Sequence, residues 1–129
     1  MSDRMVQNWL SLADYDLATA EAMLQTHRYL YVAFMAQQAV EKTLKACYVK
    51  HHDATPPYTH NLLRLAAELP WKVDMDVSMN TIMEELNSYY IESRYTEDIA
   101  ELQRALTSEE ATRLLESAKE LLKWIRARL

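Results

Sequence analysis

The sequence predicts an all-α fold, an up-and-down bundle of four or five helices, and three observations carry that prediction. The 129 residues include no glycine and only three prolines. An all-β domain needs positive-φ residues at its many tight turns, and glycine usually supplies them. Apolar residues recur with helical period almost throughout the chain. The prolines, Pro56, Pro57 and Pro70, fall between the periodic stretches, where they end helices for want of an N–H.

Asp3 can cap a first helix, whose inner face is Val6, Trp9, Leu10, Ala13, Leu17, Ala20 and Leu24. A break falls around Thr26, His27 and Arg28. The second helix runs from about Tyr29 to Lys50, about 33 Å at 1.5 Å per residue. Its stripe of Val32, Met35, Ala36, Ala39, Val40, Thr43, Leu44 and Cys47 is widened by Tyr29, Leu30, Ala33 and Phe34, as expected of a central helix with several neighbours. Thr59 can cap a short third helix, His60 to Leu69, and residues 71–77 connect it to a fourth beginning near Ser78. Met79, Ile82, Met83, Leu86 and Tyr90 point inward from that fourth helix, and the polar stretch from Glu92 to Leu106 is expected to be partly irregular. Thr107 and Glu110 fit a capping box for a fifth helix, Ser108 to about Arg128. Its face is Ala111, Leu114, Leu115, Ala118, Leu121, Leu122 and Ile125, with a Glu109–Arg113 pair outside.

The length suits one domain, residues 1–129, large enough to hide roughly two-thirds of its unfolded surface. Net charge is −5, without the basic excess of a protein that holds nucleic acid by its phosphates. RNA is therefore disfavoured as a partner unless a local basic cleft exists. The one cysteine, Cys47, cannot form an internal disulfide and reads as a small buried hydrophobe. No apolar run approaches the ~20 residues of a membrane span, and the polar N-terminus lacks a signal-peptide pattern. A cytoplasmic protein without membrane contact is the expectation.

Three segments carry chemistry. In Gln38, Glu41 and Lys45 the spacing of three and four places polar groups on one helical face; from periodicity alone a solvated face with a Glu41–Lys45 pair is the favoured explanation. His60, read as lying in the first turn of a helix, is biased toward a neutral ring by the helix dipole, useful either to catalysis or as a structural cap. His51, His52, Asp53 and His60 lack paired ligand spacing, so no metal is predicted. Arg94 stands among Tyr89, Tyr90 and Tyr95, with Asp98 following. It reads either as a structural arginine or as a guanidinium fork beside rings on which a base can stack.

In their order these segments resemble the HEPN family. The carriers are Gln38-Ala39-Val40-Glu41-Lys42 with Lys45-Ala46, then Thr59-His60-Asn61-Leu62, then Tyr89-Tyr90-Ile91 with Arg94-Tyr95, and a final Leu121-Leu122-Lys123-Trp124-Ile125. The resemblance spans essentially the whole chain. It implies a five-helix up-and-down bundle, usually a homodimer, often working beside a separately encoded nucleotidyltransferase. Other relatives are substrate-side domains of nucleotidyltransferases, as in the kanamycin-modifying enzyme, or ribonuclease toxins. The ribonuclease branch carries an arginine followed, across four to six residues, by a histidine. After Arg94 those places hold Ile99, Ala100 and Glu101, so that pair is not carried over and no catalytic residue is assigned.

The resulting expectation is a non-catalytic HEPN-type subunit that dimerises and binds a nucleotidyltransferase partner, a nucleotide or both, within a toxin–antitoxin pair, with no cofactor. The alternatives are a metal-independent RNA-cleaving toxin with a diverged site and a structural adaptor bundle. The candidate ligand site is Lys45, His60, Arg94 and Tyr95, gathered around one cleft that receives an anionic group. Arg94 bridging Glu41 in the core is the competing explanation.

Overall fold

The computed structural model describes residues 3–90 and 96–129. It is all-helical among those residues: α1 (Asp3–Gln25), α2 (Tyr29–His52), α3 (Leu62–Ala67), α4 (Val77–Asn87), α5 (Thr96–Ala105) and α6 (Ser108–Arg126), with one 3-10 turn at Lys72–Asp74. The bundle expected from the sequence is what forms, with α5 as an additional helix. That stretch reads as polar and partly irregular. It nevertheless lacks glycine and proline and is rich in the good helix formers Glu, Ala, Gln and Arg, so local propensity sustains a helix there.

α2 is the central element and touches each of the other five helices. The main core lies between it, α3, α4 and α6, where Leu44, Leu62, Leu65, Met83, Leu86, Leu114 and Ile125 are fully or almost fully buried. Two smaller clusters fasten α1 along α2, one at Val6, Leu10, Ala46 and Val49, the other at Ala20 and Val32 with Ala111 and Leu115 of α6. The α1–α2 turn is tight: Arg28 N–H donates to Met23 O, and His27 takes φ 62°. Asp53, which caps the end of α2, takes φ 50° and donates its N–H to Val49 O. With no glycine available, aspartate and histidine occupy the left-handed positions that non-glycine residues of this kind tolerate best.

Several helix ends differ from the sequence expectation. α3 begins at Leu62, not at His60, because Asn61 is the better cap: its Oδ1 accepts from both Leu63 N and Arg64 N. Thr59 Oγ1 instead accepts from Asn61 N. His60 therefore precedes the helix rather than lying in its first turn, and the dipole argument for a neutral ring loses its footing. α4 starts at Val77 on the Asp76 cap. At α6 only half of the capping box forms. Thr107 Oγ1 accepts from Glu110 N, but the Glu110 carboxylate turns to Arg113. Arg113 pairs with Glu110 and with Glu85 of α4, not with Glu109. The guanidinium holds the Glu110 carboxyl below the usual carboxylate range, and the two carboxylates raise Arg113 in turn.

Candidate functional site

The polar face of α2 is buried rather than solvated. Gln37, Glu41 and Lys45 follow one another at intervals of four, one turn apart, and are 0%, 3% and 7% exposed. Side chains at this spacing stack along one helical face. Gln37 Nε2 donates to Glu41 Oε1 at 3.3 Å and to the backbone oxygen of His60 at 2.8 Å. Lys45 Nζ lies 3.0 Å from Glu41 Oε2 and 5.4 Å from the centre of the Trp9 ring. Glu41 Oε1 lies 3.0 Å from His60 Nδ1. One buried carboxylate is thus shared by a lysine and a histidine, and burial of a charge is tolerated when it is paired in this way.

This geometry orients the histidine. A carboxylate can only accept, so Nδ1 carries a proton and Nε2 is the basic nitrogen of the neutral ring. The imidazole is stacked on Tyr90, with centroids 4.1 Å apart and planes inclined by 17°. Phe34 packs on the other partner of that stack, 5.6 Å from the Tyr90 ring, and Tyr58 meets His60 edge-on at 5.9 Å. His60, Tyr90, Asn61 and Asn87 line a cavity of about 200 Å³. Asn87 ties α4 to the start of α3: its Oδ1 accepts from Leu62 N and its Nδ2 donates to Asn61 Oδ1, both at 3.0 Å.

Of the four candidate residues, Lys45 and His60 meet at Glu41, and of these two His60 lines the cavity, while the Lys45 ammonium is engaged by Glu41 and Trp9. Arg94 and Tyr95 lie outside the described residues, as does the alternative pairing of Arg94 with Glu41. Gln37, Asn61 and Asn87 are members of the site that the sequence reading does not select; Tyr90, read there as one of the rings on which a base can stack, is a member outside the four named candidates. Gln38, a half-buried neighbour, stands in for Gln37 there because three-and-four spacing fits a helical face as well as four-and-four. A tighter signal is the run of polar residues at 37, 41 and 45 set among buried apolar neighbours. Asn61 carries a cap signal that the sequence reading assigns to Thr59.

Burial pushes the Cys47 thiol up to about 12, although Arg126 opposes the shift. The described residues contain no cluster of three His, Cys, Asp or Glu that could hold a metal ion, and no helix among them is long and apolar enough to cross a membrane. His52 is engaged elsewhere, its Nε2 2.6 Å from Glu68 O.

The HEPN domain profile matches residues 6–128 of the chain. The chain belongs to the HEPN family. This HEPN chain is also similar to the crystal structure of TT1696 from Thermus thermophilus, with 30% identity and a TM-score of 0.81 over 96% of this chain and 98% of that one. A crystal structure of ST0689, an archaeal HEPN homologue, shares the fold at 20% identity, with a TM-score of 0.74 over 95% and 96% of the two chains. No curated protein matches the sequence. The HEPN bundle thus brings His60 of the second sequence segment to Glu41 of the first, and stacks Tyr90 of the third on the His60 ring.

Proposed function

We propose that this HEPN chain is a non-catalytic subunit that dimerises, works with a nucleotidyltransferase partner, and receives part of a nucleotide in the cavity beside His60. On this reading it acts as one domain in the cytoplasm, and a toxin–antitoxin pair is a setting in which such a subunit would serve. The observation that carries the proposal is the His60–Tyr90 ring stack at a small cavity edged by two amides. Flat rings and hydrogen-bonding amides are the groups that hold a base. At about 200 Å³ the cavity falls below the roughly 300–1,000 Å³ of sites that enclose a whole drug-sized ligand. It suits one moiety of a nucleotide, and leaves the remainder on the surface for a partner to meet.

The test is calorimetric titration with ATP and AMP, wild type against His60→Asn. Asparagine keeps an N–H near the Nδ1 position for Glu41 but removes the ring. Saturable binding by the wild type is expected, weakened about tenfold or more in the variant, since base stacking is worth about 1–3 kcal/mol. No binding by the wild type sinks the nucleotide reading. Co-purification of a nucleotidyltransferase with the tagged chain from its native cells tests the partner.

One observation favours a second reading, RNA cleavage at a diverged site. A buried carboxylate fixing Nδ1 of a histidine is the arrangement that turns Nε2 into a general base. The net charge of −5 and the lack of a histidine after Arg94 weigh against it.

A further inference from the structure

The two amides at the cavity are not free to face either way. Asn61 Oδ1 accepts from Leu63 N at 3.0 Å, Arg64 N at 3.3 Å and Asn87 Nδ2 at 3.0 Å. Asn87 Oδ1 accepts from Leu62 N at 3.0 Å. Backbone N–H groups can only donate, so both amide orientations are dictated by the main chain. What remains to meet a ligand is mostly donor: two N–H bonds on Asn61 Nδ2 and one on Asn87 Nδ2, neither engaged elsewhere by the described residues. The two amides touch each other, and both residues line the cavity.

Resting on the nucleotide reading above, we propose that the cavity selects a 6-oxopurine base, with the Asn61 and Asn87 amide N–H groups donating to adjacent acceptors on its edge. Guanine and hypoxanthine present N7 and O6 there, two acceptors in a row; adenine presents N7 beside the donor N6–H₂. A pair of donors satisfies the first edge and leaves an unpaired N–H facing an N–H on the second. A site built to hydrogen-bond a group discriminates strongly against the analogue that lacks it. A phosphate also offers acceptors, but no lysine or arginine stands among the described residues of the cavity wall, and the carboxylate of Glu41 lies directly behind His60.

Asn61→Asp isolates the donor role. Aspartate caps a helix as well as asparagine does, and its oxygens can still accept from Leu63, Arg64 and Asn87, while both Asn61 donors are lost. The experiment titrates inosine monophosphate, adenosine monophosphate and inosine into wild type and Asn61→Asp by calorimetry, with thermal unfolding of both proteins as the control. The wild type should bind inosine monophosphate at least about tenfold tighter than adenosine monophosphate, retain inosine itself, and lose that preference in Asn61→Asp at unchanged Tm. Equal binding of the two monophosphates overturns this inference and leaves the nucleotide reading standing. Loss of inosine alone, with equal binding of the monophosphates, shows that a phosphate is what the amides hold, and overturns the base assignment. Failure of all three to bind overturns the nucleotide reading and this inference with it.

Discussion

Glu41 and His60, nineteen residues apart in sequence, are joined at 3.0 Å between Oε1 and Nδ1, while the other Glu41 oxygen lies 3.0 Å from Lys45 Nζ. The carboxylate therefore has a structural duty to the core and an orienting duty to the cavity. Removing it leaves Lys45 as an uncompensated buried charge, the costly way to break a buried pair. Glu41→Ala should lower unfolding stability by about 3–5 kcal/mol, measured by urea denaturation. Glu41→Leu combined with Lys45→Met, which removes both charges, should recover a large part of that loss. Strict additivity of the two single changes would show that the pair is not coupled.

How far such a site is legible in a sequence depends on which forces set it. Most of the helices are legible because hydrophobic period decides them: α6 starts on Thr107 as read, though without the return bond from Glu110, and the wide face of α2 marks a central helix, whereas α5, set by local propensity in a polar stretch, is missed. The face of Glu41 and Lys45 was not decided by period. Its burial follows from where the segment at His60, ahead of α3, and Trp9 close over α2, which is a tertiary outcome. Likewise the cap at Asn61 competes with Thr59 two residues earlier, and Asn61 prevails because Asn87, twenty-six residues on, braces its side chain. Local reading could see both candidate caps but not the brace.

Cys47 gives a pH prediction whose sign is fixed by burial. Its thiol rises from 9.0 to about 12 in the folded chain, so between those values the folded state holds a proton that the unfolded state has released. The stabilisation is fully present below pH 9.0 and is lost as pH rises toward 12. Cys47→Ala abolishes this component. Stability curves of wild type and Cys47→Ala should run parallel below pH 9 and converge above it, and the native thiol should resist alkylation at pH 8. Rapid alkylation of the folded protein at pH 8 would contradict the burial argument.

Dimerisation is an expectation that the family resemblance carries, and little of the large aromatic surface is exposed to serve it. Of Trp9, Tyr29, Tyr31, Phe34 and Trp124, only Tyr31 is exposed, at 46%; the others are half-buried, Trp124 against Trp71 at 5.4 Å. Leu12 and Tyr15 on α1 add apolar surface. Exposed apolar groups clustered on one face mark association sites. Light scattering at micromolar concentration should give about twice the 15.1 kDa chain mass, and Tyr15→Glu should shift it downward if α1 carries the contact. A monomer throughout that range would remove the dimer.

The isolated chain should not cut RNA at a meaningful rate. Cleavage through a 2′-hydroxyl needs a base near that group and positive charge for the phosphate. His60 answers the first requirement, held by Glu41. For the second, Lys45 is turned inward on Glu41 and Trp9, and the chain as a whole carries −5, so long-range attraction for RNA is absent. Acid–base assistance by itself contributes about 10²–10⁴-fold, only part of the acceleration such cleavage needs. Incubation of purified protein with labelled RNA should leave it intact over hours. Robust cleavage that disappears in His60→Asn and in Glu41→Gln, with both variants folded, would reverse the order of the two functional readings and make the Glu41–His60 pair the centre of a nuclease.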